Sequence, residues 1–236
     1  MQIRIGLEDN IEGQIMAWAL DYPGCFAFGN DEPEALIQLP RALLQYELWI
    51  KDHTSHPWID FTNIDVRVVE RFTTFHMGED YKPAPAGEGY EVNAWFTDDW
   101  RPLSSDEIEQ ALLIFRWQRD ELLAGLATLE PAVLTREHPD ERWNILGIAR
   151  HIANAELWYL SRMDLTSLSR QDLPQELEER LSQTAAQIMK VFPDFVDQVK
   201  VIGKLGEFWS YRKLVRRILY HQRDHIEHIK ALAFNR

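Results

Sequence analysis

The residues best placed to do chemistry are in Tyr220-His221-Gln222-Arg223-Asp224-His225-Ile226-Glu227-His228-Ile229. If this stretch is helical, His221 and His225 stand one turn apart on one face, with side-chain origins about 5–6 Å from each other. Two imidazoles so placed can share a metal ion, and His228, three residues further on, offers a third ring in much the same direction. Stepping by three and four from Tyr211 passes through Leu214, Ile218, His221, His225, then His228 or Ile229, and Leu232. His221 and His225 therefore take positions that belong to core residues. A buried imidazole without a partner costs on the order of 1–3 kcal/mol, so the pair must be hydrogen-bonded or ligated.

A further histidine lies in Trp143-Asn144-Ile145-Leu146-Gly147-Ile148-Ala149-Arg150-His151-Ile152-Ala153-Asn154-Ala155-Glu156. Helical side chains lean toward the N-terminus, which sets the ring of His151 over the turn containing Gly147. Glycine is poorly placed in a helix, and room for that ring is a compensation. Glu156, Glu227 and Asp224 could orient ligands or move protons, although most helix carboxylates are simply solvated. Trp143, Trp158, Tyr159 and Tyr220 could line a pocket or serve as core. His53 and His56 fall in a loop context and read as surface residues. Cys25, the single cysteine, reads as buried; it rules out an internal disulfide and a thiolate zinc cluster, so any metal must be held by nitrogen and oxygen.

The elements that must position these groups divide into a mixed α+β part and a helical part. Ile3, Ile5 and Leu7, then Ile15, Ala17 and Ala19 after Glu12-Gly13, alternate as two strands joined by a tight turn. A third strand follows Pro23-Gly24. A helix capped by Asn30 or Asp31 runs through Trp49, with a kink expected at Pro40. Strands are expected over Ile64–Phe72 and Tyr90–Phe96, separated by a Pro/Gly loop from Gly78 to Gly89. Residues 1–98 thus form one domain and 99–103 a linker. Residues 104–236 carry four amphipathic helices: one opened by the capping box of Ser104 and Glu107, one from Trp143 to Met163, one from Pro174 to Phe192, and one after Gly206, capped by Ser210.

The 236 residues carry a formal charge of −13, and residues 1–102 hold most of it, with seven basic against eighteen acidic side chains. Neither part has the basic excess that phosphate neutralisation requires, so no nucleic-acid partner is expected. Arg212, Lys213, Arg216 and Arg217 cluster locally and read as the solvated face of a helix. No apolar run reaches the roughly 18 residues of a membrane span, and Met1-Gln2-Ile3-Arg4 opens a strand instead of a signal peptide, so a cytoplasmic location without membrane contact is expected.

The segment Trp143–Glu156 together with His221-Gln222-Arg223-Asp224-His225-Ile226-Glu227-His228-Ile229 resembles the DinB-like helical-bundle family, which includes bacterial thiol-dependent S-transferases. The resemblance implies a divalent metal, commonly zinc or nickel, on His151, His221 and His225. It implies a low-molecular-weight thiol as co-substrate, a small electrophilic molecule as substrate, and a homodimer. Ile226-Glu227-His228 departs from the family's usual Arg-Gly-Gln, leaving His228 as a group behind the ligands or a competing ligand; Glu156 and Glu227 are the candidate catalytic carboxylates. The N-terminal Asp21-Tyr22-Pro23-Gly24-Cys25, Gly29–Leu36 and Arg41-Ala42-Leu43 resemble the HicB-like, antitoxin-like α+β domain. Two functions follow as expectations: a metal-dependent thiol S-transferase or related hydrolase, or a binding and regulatory protein with a vestigial metal site whose acidic N-terminal domain docks a basic partner.

Overall fold

Period-two alternation and tight turns build the first strands. The computed structural model describes residues 2–11 and 13–234, so Met1 and the Glu12 half of the expected turn lie outside the described residues. Two compact units form: Met1–Arg101 with Val199–Lys213, and Pro102–Gln198 with Leu214–Arg236. No described helix is long and apolar enough to cross a membrane.

In the first unit, β1 (Gln2–Ile11), β2 (Gln14–Ala19) and β3 (Phe26–Gly29) pair antiparallel, and β4 (Asp65–Thr73) joins β1 in parallel, giving the order β3-β2-β1-β4. Gly13, at φ +79°, supplies the left-handed backbone after β1. Helix α1 (Glu32–His53) starts where the Asp31 carboxylate accepts the Glu34 N–H at 2.8 Å, and it buries Ala35, Leu39, Leu43, Tyr46 and Ile50. The helix runs on through Pro40, so the lost hydrogen bond does not end it. A small sheet of β5 (Phe75–Met77), β6 (Pro83–Ala84) and β7 (Tyr90–Val92) follows, in the order β6-β5-β7.

The strand expected from Tyr90 to Phe96 stops at Val92 because side chains take its backbone donors. The Ala94 N–H donates to Glu8 Oε1 at 2.7 Å, and the Phe96 N–H to Asp99 Oδ2 at 2.8 Å. Glu8 is fully buried and also accepts from Trp18 Nε1 at 2.9 Å and Thr74 Oγ1 at 3.2 Å. A buried carboxylate is tolerable only when its acceptor capacity is filled in this way.

In the second unit, α2 (Ser105–Thr128) opens with the expected Ser104/Glu107 capping box. A single turn, α3 (Pro131–Leu134), precedes α4 (Ile145–Arg162), and α5 (Leu177–Val191) gives way to a 3-10 turn containing Pro193. The last helix starts after the expected cap, Ser210, but a hairpin that was not expected precedes it. Residues 201–210 form a hairpin, β8 (Val201–Lys204) and β9 (Glu207–Ser210), with Leu205 and Gly206 both at positive φ, as a two-residue turn requires. Helix α6 (Tyr211–Phe234) follows, with the Lys213 N–H donating to Ser210 Oγ at 3.1 Å.

The basic cluster expected on a solvated helix face is instead buried: Arg212, Lys213, Arg216 and Arg217 are all less than one-tenth exposed. In the first unit Lys213 Nζ meets Glu207 Oε1 at 2.5 Å, donates to the Asn93 carbonyl at 3.2 Å and lies over Trp209. The other Glu207 oxygen accepts from the Tyr90 hydroxyl at 2.5 Å. Arg217, in the second unit, packs over the rings of Tyr220 and Tyr159.

Four helices of the second unit share one apolar core: Leu122 from α2, Ile145, Ile148, Ala149, Ile152 and Ala153 from α4, Leu181 from α5, and Ile226 and Ile229 from α6. Buried polar ties fix their register. Arg119 on α2 is ion-paired with Glu156 on α4, whose second oxygen accepts from Thr184 on α5 at 2.6 Å. Gln222 on α6 donates to the Phe115 carbonyl and Gln118 on α2, both at 3.2 Å.

Removing one member of the buried Lys213–Glu207 pair strands the other. Lys213→Met is expected to cost about 3–5 kcal/mol in urea denaturation, and adding Glu207→Gln should recover most of the loss.

Candidate functional site

Helix α4 begins at Asn144, whose side chain accepts the Gly147 N–H at 3.0 Å. The glycine leaves room, but for a different ring from the one expected. A Cβ on Gly147 would lie 2.7 Å from Trp143 Cβ, and Trp143 stacks on His151 with ring centroids 4.7 Å apart and planes 25° from parallel. Gly147 thus admits the tryptophan that backs the histidine, and the Arg142 guanidinium lies over the ring of that tryptophan, 4.5 Å from its centroid.

His221 and His225 bring their rings to His151 from α6. The nitrogens the three rings offer all lie within 4.8 Å of one another. His221 Nε2 is 3.0 Å from His151 Nε2 and 3.0 Å from His225 Nε2. The ring planes are steeply inclined, at 56°, 80° and 87°, so nitrogen edges converge and faces do not stack. Hydrogen bonding cannot satisfy this arrangement. A neutral imidazole nitrogen carries either one proton or one lone pair, so His221 Nε2 can donate to one neighbour or accept from one, but it faces two. His225 Nδ1 is buried with no hydrogen-bond partner among the described residues, and with its proton there Nε2 is left bare. One shared cation uses all three lone pairs. A tetrahedral zinc at about 2.0–2.1 Å holds nitrogens roughly 3.3 Å apart, close to the 3.0 Å of the His221–His151 and His221–His225 pairs. The residues fit a divalent ion.

The surroundings keep the rings neutral. Burial, then the neighbouring His225 and His151 and finally Arg217, depresses His221 well below the ordinary histidine value. Burial, followed by His151 and His228, pushes His225 down to about 3. His151 is lowered by burial and by the positive charges of Arg142 and Arg170.

A cavity of about 460 Å³ opens beside His151 and His221, lined by Asn154, Trp158, Tyr159, Leu168, Ser169 and Arg170 among others. Tyr159 meets His221 edge-on at 5.7 Å. The rim segment after α4 is held by the buried Arg180, which donates to Asn154 Oδ1 at 2.6 Å and to the carbonyls of Arg170, Leu173 and Pro174. Neither Arg170 nor Arg180 stands out in the sequence. Arg170 lies in the segment between α4 and α5, and Arg180, on α5, is tied to that segment only through its carbonyls, so neither leaves a spacing signal.

The other candidates lie apart from the histidine group. Both carboxylate oxygens of Glu156 are engaged by Arg119 and Thr184, and Glu227 is exposed, 2.8 Å from Lys230. Neither belongs to the cluster of metal-type ligands found among the described residues. His228 Nε2 lies 3.1 Å from Glu141, and its ring is 6.2 Å from that of His225. Cys25 is buried, His53 is half-buried with its Nδ1 2.7 Å from the Trp49 carbonyl, and His56 is exposed.

Residues 114–229 match the family model of the DinB superfamily, so the C-terminal part of the chain is DinB-like. No curated protein and no solved structure matches the chain at significance.

Two outcomes are expected. In metal-free protein the unfolded histidines take up protons as pH falls through about 6.5, whereas folded His225 does so only near about 3. Stability should therefore fall with pH across that window and gain nothing from this source above it; thermal denaturation of metal-free protein from pH 8 to pH 4 tests the sign. Gly147→Ala should displace Trp143 and cost about 1–3 kcal/mol, with a changed tryptophan emission.

Proposed function

We propose that this protein is a divalent-metal-dependent enzyme whose helical part is a DinB-like four-helix bundle, with His151, His221 and His225 as the metal ligands. The observation that carries the proposal is the convergence of three neutral Nε2 atoms that hydrogen bonds cannot satisfy. DinB-like proteins commonly bind a metal, and three protein nitrogens leave a coordination position open, the pattern of catalytic zinc sites. The reaction is thiol-dependent S-transfer, or a related hydrolysis, on a small electrophilic substrate. The bound ion, zinc or nickel, supplies the acidity that makes a thiol or water nucleophilic near neutral pH.

The chain's own groups shape the rest. Trp143 braces the His151 ring from behind, and Tyr159 limits the tilt of His221. Trp158, Leu157 and Leu168 give the cavity apolar walls that exclude water from a reacting thiol. Arg170 is the only charged side chain among the described residues that line the cavity, apart from the histidines held neutral. It favours a substrate or thiol with an anionic group at the rim. Glu156 serves this function by holding α2, α4 and α5 in register, not by moving protons. The N-terminal unit is a HicB-like domain that accompanies the enzyme without contributing to its chemistry.

Tag-free protein should contain about one divalent ion per chain by elemental analysis, and His221→Ala should lose it; folded protein that never takes up metal would sink the proposal. With metal present, turnover is expected for an electrophile offered with a low-molecular-weight thiol. Arg170→Gln should raise KM for an anionic partner about tenfold, equivalent to roughly 1.4 kcal/mol, while leaving kcat and metal content unchanged.

A further inference from the structure

The arginines around the cavity lack the partners that a chain so rich in acid offers. Acidic side chains outnumber basic ones by 38 to 25, and Arg4, Arg71, Arg101 and Arg119 each meet a carboxylate. Arg142, Arg150, Arg170 and Arg180 meet none among the described residues. Arg142 lies over Trp143, and Arg150 Nη1 donates to the Gln175 carbonyl at 2.7 Å. Arg180 is 5 % exposed, yet its donors reach only neutral oxygens, those of the Asn154 side chain and of the Arg170, Leu173 and Pro174 carbonyls. The exposed Arg170 guanidinium has no hydrogen-bond partner among the described residues. Asp172, two residues on, accepts from the Ser169 N–H and hydroxyl at 2.7 Å instead.

These charges act on one another and on the site. Burial, then Arg150 and Arg170, lowers the pKa of Arg180; burial, then Arg142 and Arg170, lowers that of His151. A buried guanidinium among neutral acceptors is costly, and like charges beside it add to the cost. An anion in the cavity relieves both.

Resting on the reading of this cavity as the substrate site, we propose that it takes a compact dianion, the charged end of a phosphate monoester or of a malonate-type dicarboxylate, with two oxygens on the Arg170 guanidinium. The planar fork of an arginine matches two oxygens of either group. Arg170 lines the same cavity as His151 and His221, so a ligand held there by its charged end extends its other end toward the histidines, along Leu157, Trp158 and Leu168. Arg142, Arg150 and Arg180 are not among the lining residues. Their positive potential acts on each charge of the ligand, and this selects a dianion over a monoanion of the same size.

Isothermal titration calorimetry of the metal-free full chain reads this binding without help from a bound ion. At about pH 8, phenyl phosphate, phenylmalonate or both should bind at least about tenfold more tightly than benzoate, and the tighter of the two identifies the source of the dianion. Arg170→Gln should weaken dianion binding about tenfold or more. Arg150→Gln, which removes charge without touching the cavity wall, should weaken the dianions more than benzoate, and Arg41→Gln, on α1, should change neither. Equal affinity for benzoate and both dianions, no binding of either dianion at about 10 mM, or dianion binding that survives Arg170→Gln overturns the proposal. Protein that holds a metal ion but no dianion leaves the metal reading intact, whereas protein that binds the dianion and never takes up metal sinks that reading alone.

Discussion

Three imidazole edges that meet at a half-buried site beside a cavity impose a demand that the helical unit is built to sustain. Each ring has been taken out of water, which disfavours its charged form, and the mutual 3.0 Å contacts leave His221 Nε2 with two neighbours and one orbital. Holding nitrogens at such distances requires helices that cannot slide. The Arg119–Glu156–Thr184 tie and the Gln222 contacts provide this, because each links helices through a directional bond where apolar packing alone would tolerate small shifts. The apolar core supplies cohesion, and the buried polar groups supply register.

A second buried network does the same for the first unit. Glu8 terminates β7 early by claiming the Ala94 N–H, and Glu207 gathers Lys213 and the Tyr90 hydroxyl. Glu207 joins side chains from distant parts of the chain, whereas Glu8 and Asp99 take backbone donors, which is why a strand pattern that continues in sequence to Phe96 does not continue in space.

What was legible beforehand was whatever repeats at a fixed period or depends on one neighbour. The histidine pair, His151, the Ser104 capping box, the Asp31 cap and the strands through Val68 all belong to that class. The Leu205-Gly206 hairpin was hidden because Val201, Ile202 and Trp209 read equally well as the approach to a helix. Arg212, Lys213, Arg216 and Arg217 looked solvated because charge in sequence carries no record of a buried carboxylate or aromatic partner. Gly147 was rightly seen to make room beside His151, but which side chain takes that room depends on how Trp143 folds back at the helix start. The rim of the cavity, with Arg170 and Arg180, rests on loop contacts that no local pattern encodes.

The hairpin at 201–210 also has a meaning in time. Residues 199–213 complete a unit whose other members end at Arg101, while the second unit, begun at Pro102, is closed only by the residues after Lys213. Neither unit can finish before the ribosome has passed residue 213, so the two cannot mature one after the other as tandem domains do. Until then Tyr90 and Asn93 lack the Glu207 and Lys213 side chains that bind them, and α4 presents His151 with no partner from α6. Synthesis therefore exposes two unfinished cores at once, a long interval of vulnerability that the segment arriving last brings to an end for both.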